Sequence, residues 1–302
     1  MTDVIKPGLH PRNRFSQRYD FPELVRVCPS LAVFVKPNAH GDDSLDFADP
    51  LAVKALNQAL LSHAYGLHHW DIPTGFLCPP IPGRSDYIHY LADLISMKRG
   101  PTLRVLDVGA GANAIYPLIG ASEYGWSFVG TEVDSLAFEW GRKMVANHPS
   151  VAGLIEYRQQ SSALKCFDGV IRDDECFELT MCNPPFHASA AEAAEGTQRK
   201  LRNLGQSIGR PKAALNFGGR AGELWCDGGE LAFIRRMIIQ SSAYQHQVNW
   251  FTTLVSKSAH LPHLEHALRN QKAVEVKVIE MSQGQKKSRL LAWTFQPRLN
   301  LA

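Results

Sequence analysis

The sequence predicts an α/β fold: seven strands in one open, mostly parallel sheet with an antiparallel last strand, preceded by a small, mainly helical N-terminal region. Three observations carry this. From Leu103 onward, short apolar runs alternate with helix-length amphipathic stretches, the pattern of parallel strands joined by crossover helices. The first of those runs, "LRVLDVG", enters the glycine-rich "GAGANAIYPLIG", which reads as a tight turn opening a helix. Near its end the chain has two apolar stretches, "AVEVKVIEM" and "RLLAWTFQP", joined through the polar "SQGQKKS" as an antiparallel hairpin.

Among the first eighty or so residues one helix is clear. Asp49 and Pro50 supply a cap and a proline at the first helical position, "LAVKALNQALLSHAYG" repeats apolar residues at helical spacing, and Gly66 stops it. The proline- and glycine-rich "WDIPTGFLCPPIPGR" reads as a loop and the internal boundary, dividing the chain into residues 1–82 and 83–302. A second helix is expected over "SDYIHYLADLISMKRG", capped by Ser85 or Asp86 and ended by Gly100. The sheet then follows as "LRVLDVG", "WSFVGTEVD", "LIEYRQQ", "FELTMCN", "VNWFTTLVS" and the closing hairpin. Helices are expected over "SLAFEWGRKMVANHP", "GELAFIRRMIIQSSAYQH" and "LPHLEHALRNQ".

At 302 residues, 45% hydrophobic and 20% charged, the chain has enough apolar side chains for one large domain or two unequal ones. No apolar run approaches the length of a membrane span, and the N-terminus lacks the apolar core of a signal peptide, so a cytoplasmic protein is expected. Cysteines 28, 78, 166, 176, 182 and 226 form no CxxC pair and read as reduced structural thiols. His260, His263 and His266 share one side of a helix, but no carboxylate or thiol completes a distinctive ligand set, and no metal is expected. A net charge of +3 is too small to indicate a nucleic-acid partner; its distribution is more telling. The segment 190–222 carries Arg199, Lys200, Arg202, Arg210, Lys212 and Arg220, and from Gly196 to Arg220 it holds no acid. The N-terminal arm adds Lys6, Arg12, Arg14 and Arg18 beside Phe15 and Tyr19. Either is compatible with a solvated loop, and equally with phosphate and base contacts.

Gly109 and Gly111 in "DVGAGANA" remove side chains where a ligand must approach backbone amides and a helix N-terminus. The pattern also fits the loose dinucleotide fingerprint, so it leaves NAD and S-adenosylmethionine open. Asp107 before the first glycine and Glu132 at the end of the next strand lean toward the methyl donor, although both fold families place a ribose-binding acid there. The fourth strand decides it. Asn183, Pro184, Pro185 and Phe186 follow that strand, where open α/β sheets bind ligands. An amide and a backbone carbonyl there accept the two hydrogens of an exocyclic amine. Pro184 has no N–H, the pair stiffens the carbonyl, and Phe186 offers a ring on which a base stacks.

The tetrad "NPPF" with upstream "DVGAGANAIYPLIG" and "GTEVD" resembles adenine-N6 methyltransferases with a Rossmann-like sheet. With "HPRNRFSQRYDFPEL", "SLDFADPLAVKALNQALL", "DIPTGFLCPPIPGRSDYIHYLADL" and "SQGQKKSRLLAWTF", it resembles the bacterial 23S rRNA adenine-1618 N6-methyltransferase family over nearly the whole chain. That resemblance implies donor contacts from Arg84, Gly109, Glu132 and Asn183, and from one of Ser161 and Ser162. It also implies a catalytic domain over 83–302 and an RNA-binding N-terminal region over 1–82, with Lys6, Arg12 and Arg14 on phosphates. The basic loop would close over the substrate. The expected partner is 23S rRNA or a large-subunit assembly intermediate, met by a monomer without a membrane. Competing readings are methylation of a protein glutamine or of a DNA adenine, an RNA-binding scaffold with a vestigial donor pocket, and a dinucleotide oxidoreductase, in which the tetrad has no role.

Overall fold

The structure, a computed structural model, describes residues 8–192, 221–283 and 286–297. Helix α1, Phe21–Val27, starts behind Asp20, whose carboxylate accepts the Glu23 N–H. A 3-10 turn, Pro29–Phe34, and a two-residue ladder between Lys36–Pro37 and Asp43–Ser44 follow. None of these was legible in the sequence. Helix α2, Pro50–Tyr65, is bounded as predicted: Asp49 caps the Leu51 N–H at 2.9 Å, and Gly66 turns left-handed at φ 69°.

Helix α3 corrects the expectation. It spans Ile81–Leu94 and so begins inside the stretch read as loop. Pro82 falls in its first turn, where a missing N–H costs nothing. Ser85 and Asp86 are therefore not caps but buried side chains within the helix. Ser85 shares a 2.7 Å hydrogen bond with the Tyr65 hydroxyl, and Asp86 accepts from the His10 N–H and the Asn13 amide. The helix stops before Gly100, because Ser96 and Met97 already turn left-handed at φ 56° and 61°.

The seven-stranded sheet comprises β1 Arg104–Val108, β2 Ser127–Glu132, β3 Ile155–Gln159, β4 Phe177–Cys182, β5 Val248–Val255, β6 Glu275–Gln283 and β7 Lys286–Thr294. Their order is β3-β2-β1-β4-β5-β7-β6. The first five run parallel, and β7 is antiparallel to both of its neighbours. The closing hairpin reaches further than expected, with Ser282 and Gln283 still paired to Lys287 and Lys286. From β1 the chain steps outward to β2 and β3, then returns to lay β4 on the opposite side of β1. Such a reversal opens a crevice beyond the carboxyl ends of β1 and β4. Val108 pairs with Cys182, so Gly109 and Asn183 are the first residues past the sheet on adjacent strands.

Alternation along β1 sends Val105 to one face and Leu106 and Val108 to the other. The first face packs against α2, α3 and α4 (Ile115–Tyr124) in a cluster that also takes in Phe15, Phe21 and Leu24, so the first 82 residues share a core with the sheet. The second face packs against α6 (Gly229–Ser241) and α7 (Leu261–Asn270) through Ile234, Met237, Leu264 and Leu268. Helix α5, Ser135–Ala146, follows β2 and is capped by Asp134. The six cysteines are unpaired. No helix among the described residues is long and apolar enough to cross a membrane.

Candidate active site

The glycine turn is held from three directions. The N–H groups of Gly109 and Ala110 both donate to the Thr131 carbonyl, at 3.1 and 2.9 Å, tying the turn to β2. Gly109 and Gly111 adopt φ 78° and 69°, which L side chains avoid. The Tyr157 hydroxyl donates to the Gly111 carbonyl at 3.0 Å, and its ring fills the space where a side chain at Gly141 would stand. At the turn's far end the Asn113 carboxamide accepts the Ile115 N–H, and Trp70 donates to the Asn113 carbonyl. Glu132 completes the frame: one oxygen accepts the Gly111 N–H at 3.1 Å, the other accepts from Val133 and Asp134 at 2.7 and 2.9 Å. Burial raises the pKa of Glu132, opposed by those three amides.

A cavity of about 450 Å³ opens beyond the carboxyl ends of β1 and β4, lined by the glycine turn, Glu132, Arg84, Asn183 and Pro185. Arg84 enters from the first turn of α3. Its Nη1 donates to the Tyr116 hydroxyl at 2.6 Å, its guanidinium lies 5.3 Å from that ring's centroid, and its buried Nε has no hydrogen-bond partner. Asp107, on β1 just before the turn, is fully buried and not among the lining residues, and neither of its carboxylate oxygens has a hydrogen-bond partner among the described residues. Burial pushes its carboxyl up to about 8; the Arg84 charge opposes the rise and the Glu132 charge adds to it.

Past β4, the Tyr87 hydroxyl lies 3.4 Å from the Cys182 nitrogen and shares a 2.9 Å hydrogen bond with Thr252, fixing the strand end that launches the tetrad. The buried Asn183 Oδ1 has no hydrogen-bond partner among the described residues. Pro184 is buried, and Asn183 and Pro185 face the cavity. Phe186 is half-buried and is not among the lining residues. Among the described residues, the rings that do line the cavity are Phe76, Tyr116, Trp225 and Phe233.

These features fit a methyl donor with an amino-acid end. Among the described residues, Arg84 offers an unused donor for a carboxylate, Asn183 an unused acceptor, and no atom lies within 4 Å of where a side chain at Gly109 would project. After β3 the cavity is lined by Gln160, Ala163, Leu164 and Lys165. Ser161 and Ser162 lie between them outside the lining, with the Ser162 hydroxyl accepting the Leu164 N–H at 3.3 Å. Sequence reasoning missed Tyr116, which sits in the helix after the glycine turn, and Gln160, Trp225 and Arg236, which belong to no motif.

The described arginines of the N-terminal arm contact the protein itself. Arg12 reaches Asp93 at 2.7 Å, the His89 carbonyl at 3.0 Å and the Tyr124 hydroxyl at 3.1 Å. Arg14 binds Glu123 and the Ala64 carbonyl, both at 2.9 Å, over the Tyr65 ring, and remains half exposed. Lys6, Arg199, Lys200, Arg202, Arg210 and Lys212 lie outside the described residues. His260 turns onto the buried Glu230 at 2.7 Å, and no metal-ligand cluster of three occurs among the described residues.

A family model described as RNA methyltransferase matches residues 3–297. Ribosomal RNA large subunit methyltransferase F of Yersinia enterocolitica is 51% identical over 296 residues, covering 96% of this chain and 88% of the relative. Its Yersinia pestis counterpart is 52% identical over the same shares. Among solved structures, the catalytic domain of human METTL16 in complex with MAT2A 3′UTR hairpin 1 superposes with a TM-score of 0.81 at 35% identity, covering 96% of each chain. The human METTL16 N-terminal domain in complex with SAH gives 0.75 at 31% identity, covering 96% of this chain and 99% of that one. With the glycine turn and Asn183 and Pro185 of the tetrad lining one cavity, the chain belongs to the RNA methyltransferase family and is an S-adenosylmethionine-dependent methyltransferase.

Proposed function

We propose that the protein methylates N6 of adenine 1618 in 23S ribosomal RNA. The observation that carries this reading is that Asn183, whose buried Oδ1 has no hydrogen-bond partner among the described residues, lines the same cavity as the glycine turn. An exocyclic amine placed there gives one hydrogen to the Asn183 amide oxygen and the other to a carbonyl stiffened by Pro184 and Pro185. The nitrogen lone pair then points along the cavity toward the glycine turn. S-adenosylmethionine supplies a methyl group on a positively charged sulfur. Arg84 holds the donor's carboxylate, and Glu132 and Asn183 are its further contacts, with Ser161 or Ser162 on the adenine side. The amine needs no strong base, because it becomes acidic once alkylated; positioning and fixed dipoles carry the rate.

Residues 1–82 and the basic segment 190–222 form the RNA-binding surface in this reading, with Lys6, Arg12 and Arg14 in the first and Arg199, Lys200, Arg202, Arg210 and Lys212 in the second. The internal partners of Arg12 make the arm's first task to fix itself on α3; Arg14 keeps an exposed edge for phosphate. The enzyme acts as a cytoplasmic monomer on free 23S rRNA or on a large-subunit assembly intermediate. Mass mapping of 23S rRNA from cells lacking the protein tests the reading: N6-methyladenosine at that adenine should vanish and return on complementation. An unchanged map overturns it, and loss of a methyl group from a DNA adenine or a protein glutamine would transfer the activity to those substrates.

A further inference from the structure

The segment that leaves the tetrad and the segment that enters α6 run side by side. The His187 N–H donates to the Leu224 carbonyl at 3.0 Å and the Cys226 N–H to the His187 carbonyl at 3.1 Å, bridging His187 to Trp225 in parallel. Behind them Gly228 and Gly229 turn left-handed at φ 75° and 64°. A side-chain carbon at Gly229 would stand 3.2–3.3 Å from the backbone and Cβ of Ala188, so the turn is pressed against the tetrad's exit. This geometry hands Trp225 to the cavity beside Asn183 and Pro185.

The tryptophan has no place in the core. Trp70, Trp126, Trp140, Trp250 and Trp293 all belong to, or pack against, the buried apolar clusters; Trp225 does neither and is only partly buried. A base extruded from its stack loses the stacking of both faces, and a ring at the site restores it. Phe186, the ring expected from the tetrad, does not line the cavity. We propose that the Trp225 indole is the stacking surface for the target adenine, holding the base flat while Asn183 grips its amine. The inference rests on the adenine reading above and adds the residue that holds the extruded base.

The test uses the full chain, with 23S rRNA lacking the modification as substrate. Trp225→Ala should lower kcat/KM for the rRNA by about 5- to 150-fold, the range expected for one lost base–aromatic stack. Trp225→Phe should recover most of that loss and Trp225→Leu little, with the donor dissociation constant and melting temperature of all three close to wild type. Equal recovery by Leu and Phe would reduce Trp225 to apolar filling and overturn the proposal. So would a parallel loss of donor affinity. Wild-type protein inert toward this rRNA sinks the substrate reading and this inference together, whereas active wild type with an equally active Trp225→Ala sinks this inference alone.

Discussion

Asn183→Ala is expected to lower the rate of methyl transfer by about 10²–10³-fold, the scale of removing one preorganised polar group from a reacting centre. The loss should fall mainly on kcat. The unmodified amine nitrogen is a poor nucleophile while its lone pair is delocalised into the purine, and gripping both hydrogens is what turns that pair toward the methyl group. Structure supports a specific role over a folding one: Asn183 Oδ1 is buried and has no hydrogen-bond partner among the described residues, so truncation breaks no hydrogen bond made by that oxygen. The strand end is anchored instead by Tyr87 and its bond to Thr252. Single-turnover kinetics with saturating donor check this; a variant within threefold of wild type would assign the amine grip elsewhere.

Arg84→Gln is expected to weaken donor binding by about 10- to 100-fold, since a charge-assisted hydrogen bond contributes about 1.5–3 kcal/mol. Arg84→Lys should recover only part of it, because an ammonium cannot reproduce the guanidinium fork. The same change reports on Asp107. Burial lifts that carboxyl from 3.8 to about 8 in the folded protein, and Arg84 is the charge that holds it from rising further. Between those two values the folded chain retains a proton that the unfolded chain has released. The contribution of Asp107 to the stability of the free protein therefore falls as pH rises from about 4 to 8 and levels off above. Removing the Arg84 charge should carry the decline to higher pH. Denaturant melts across pH, with isothermal titration of the donor, check both parts; a pH–stability curve unchanged by Arg84→Gln would show that the two groups are not coupled.

The sheet was legible because each strand is a short apolar run bounded by turn residues; setting the glycine turn beside the tetrad places β4 next to β1, and the rest of the strand order comes from the structure. Helix α3 begins earlier than the sequence suggests because prolines signal a break in a helix, although a first-turn proline is compatible with one. Helix α1 has only seven residues, too few for periodicity to show. In the site, the contiguous motifs were visible and the scattered residues were not. Tyr116, Gln160, Trp225 and Arg236 come from four separate parts of the chain, and only the topology gathers them. The arginines of the arm show the converse. Sequence revealed the charge of Arg12 and Arg14, but their partners Asp93 and Glu123 lie 81 and 109 residues away. A free cation and one held in an internal ion pair look the same in one dimension.

The most direct measurement offers purified protein and labelled S-adenosylmethionine to deproteinised 23S rRNA from cells lacking the enzyme, in parallel with large-subunit precursors, followed by nucleoside analysis and mapping of the label. The account predicts label in N6-methyladenosine at a single adenine, position 1618, in at least one of the two substrates, and its loss in Asn183→Ala protein that still binds the donor. Label on another base, at many adenines, or undiminished in Asn183→Ala would contradict it.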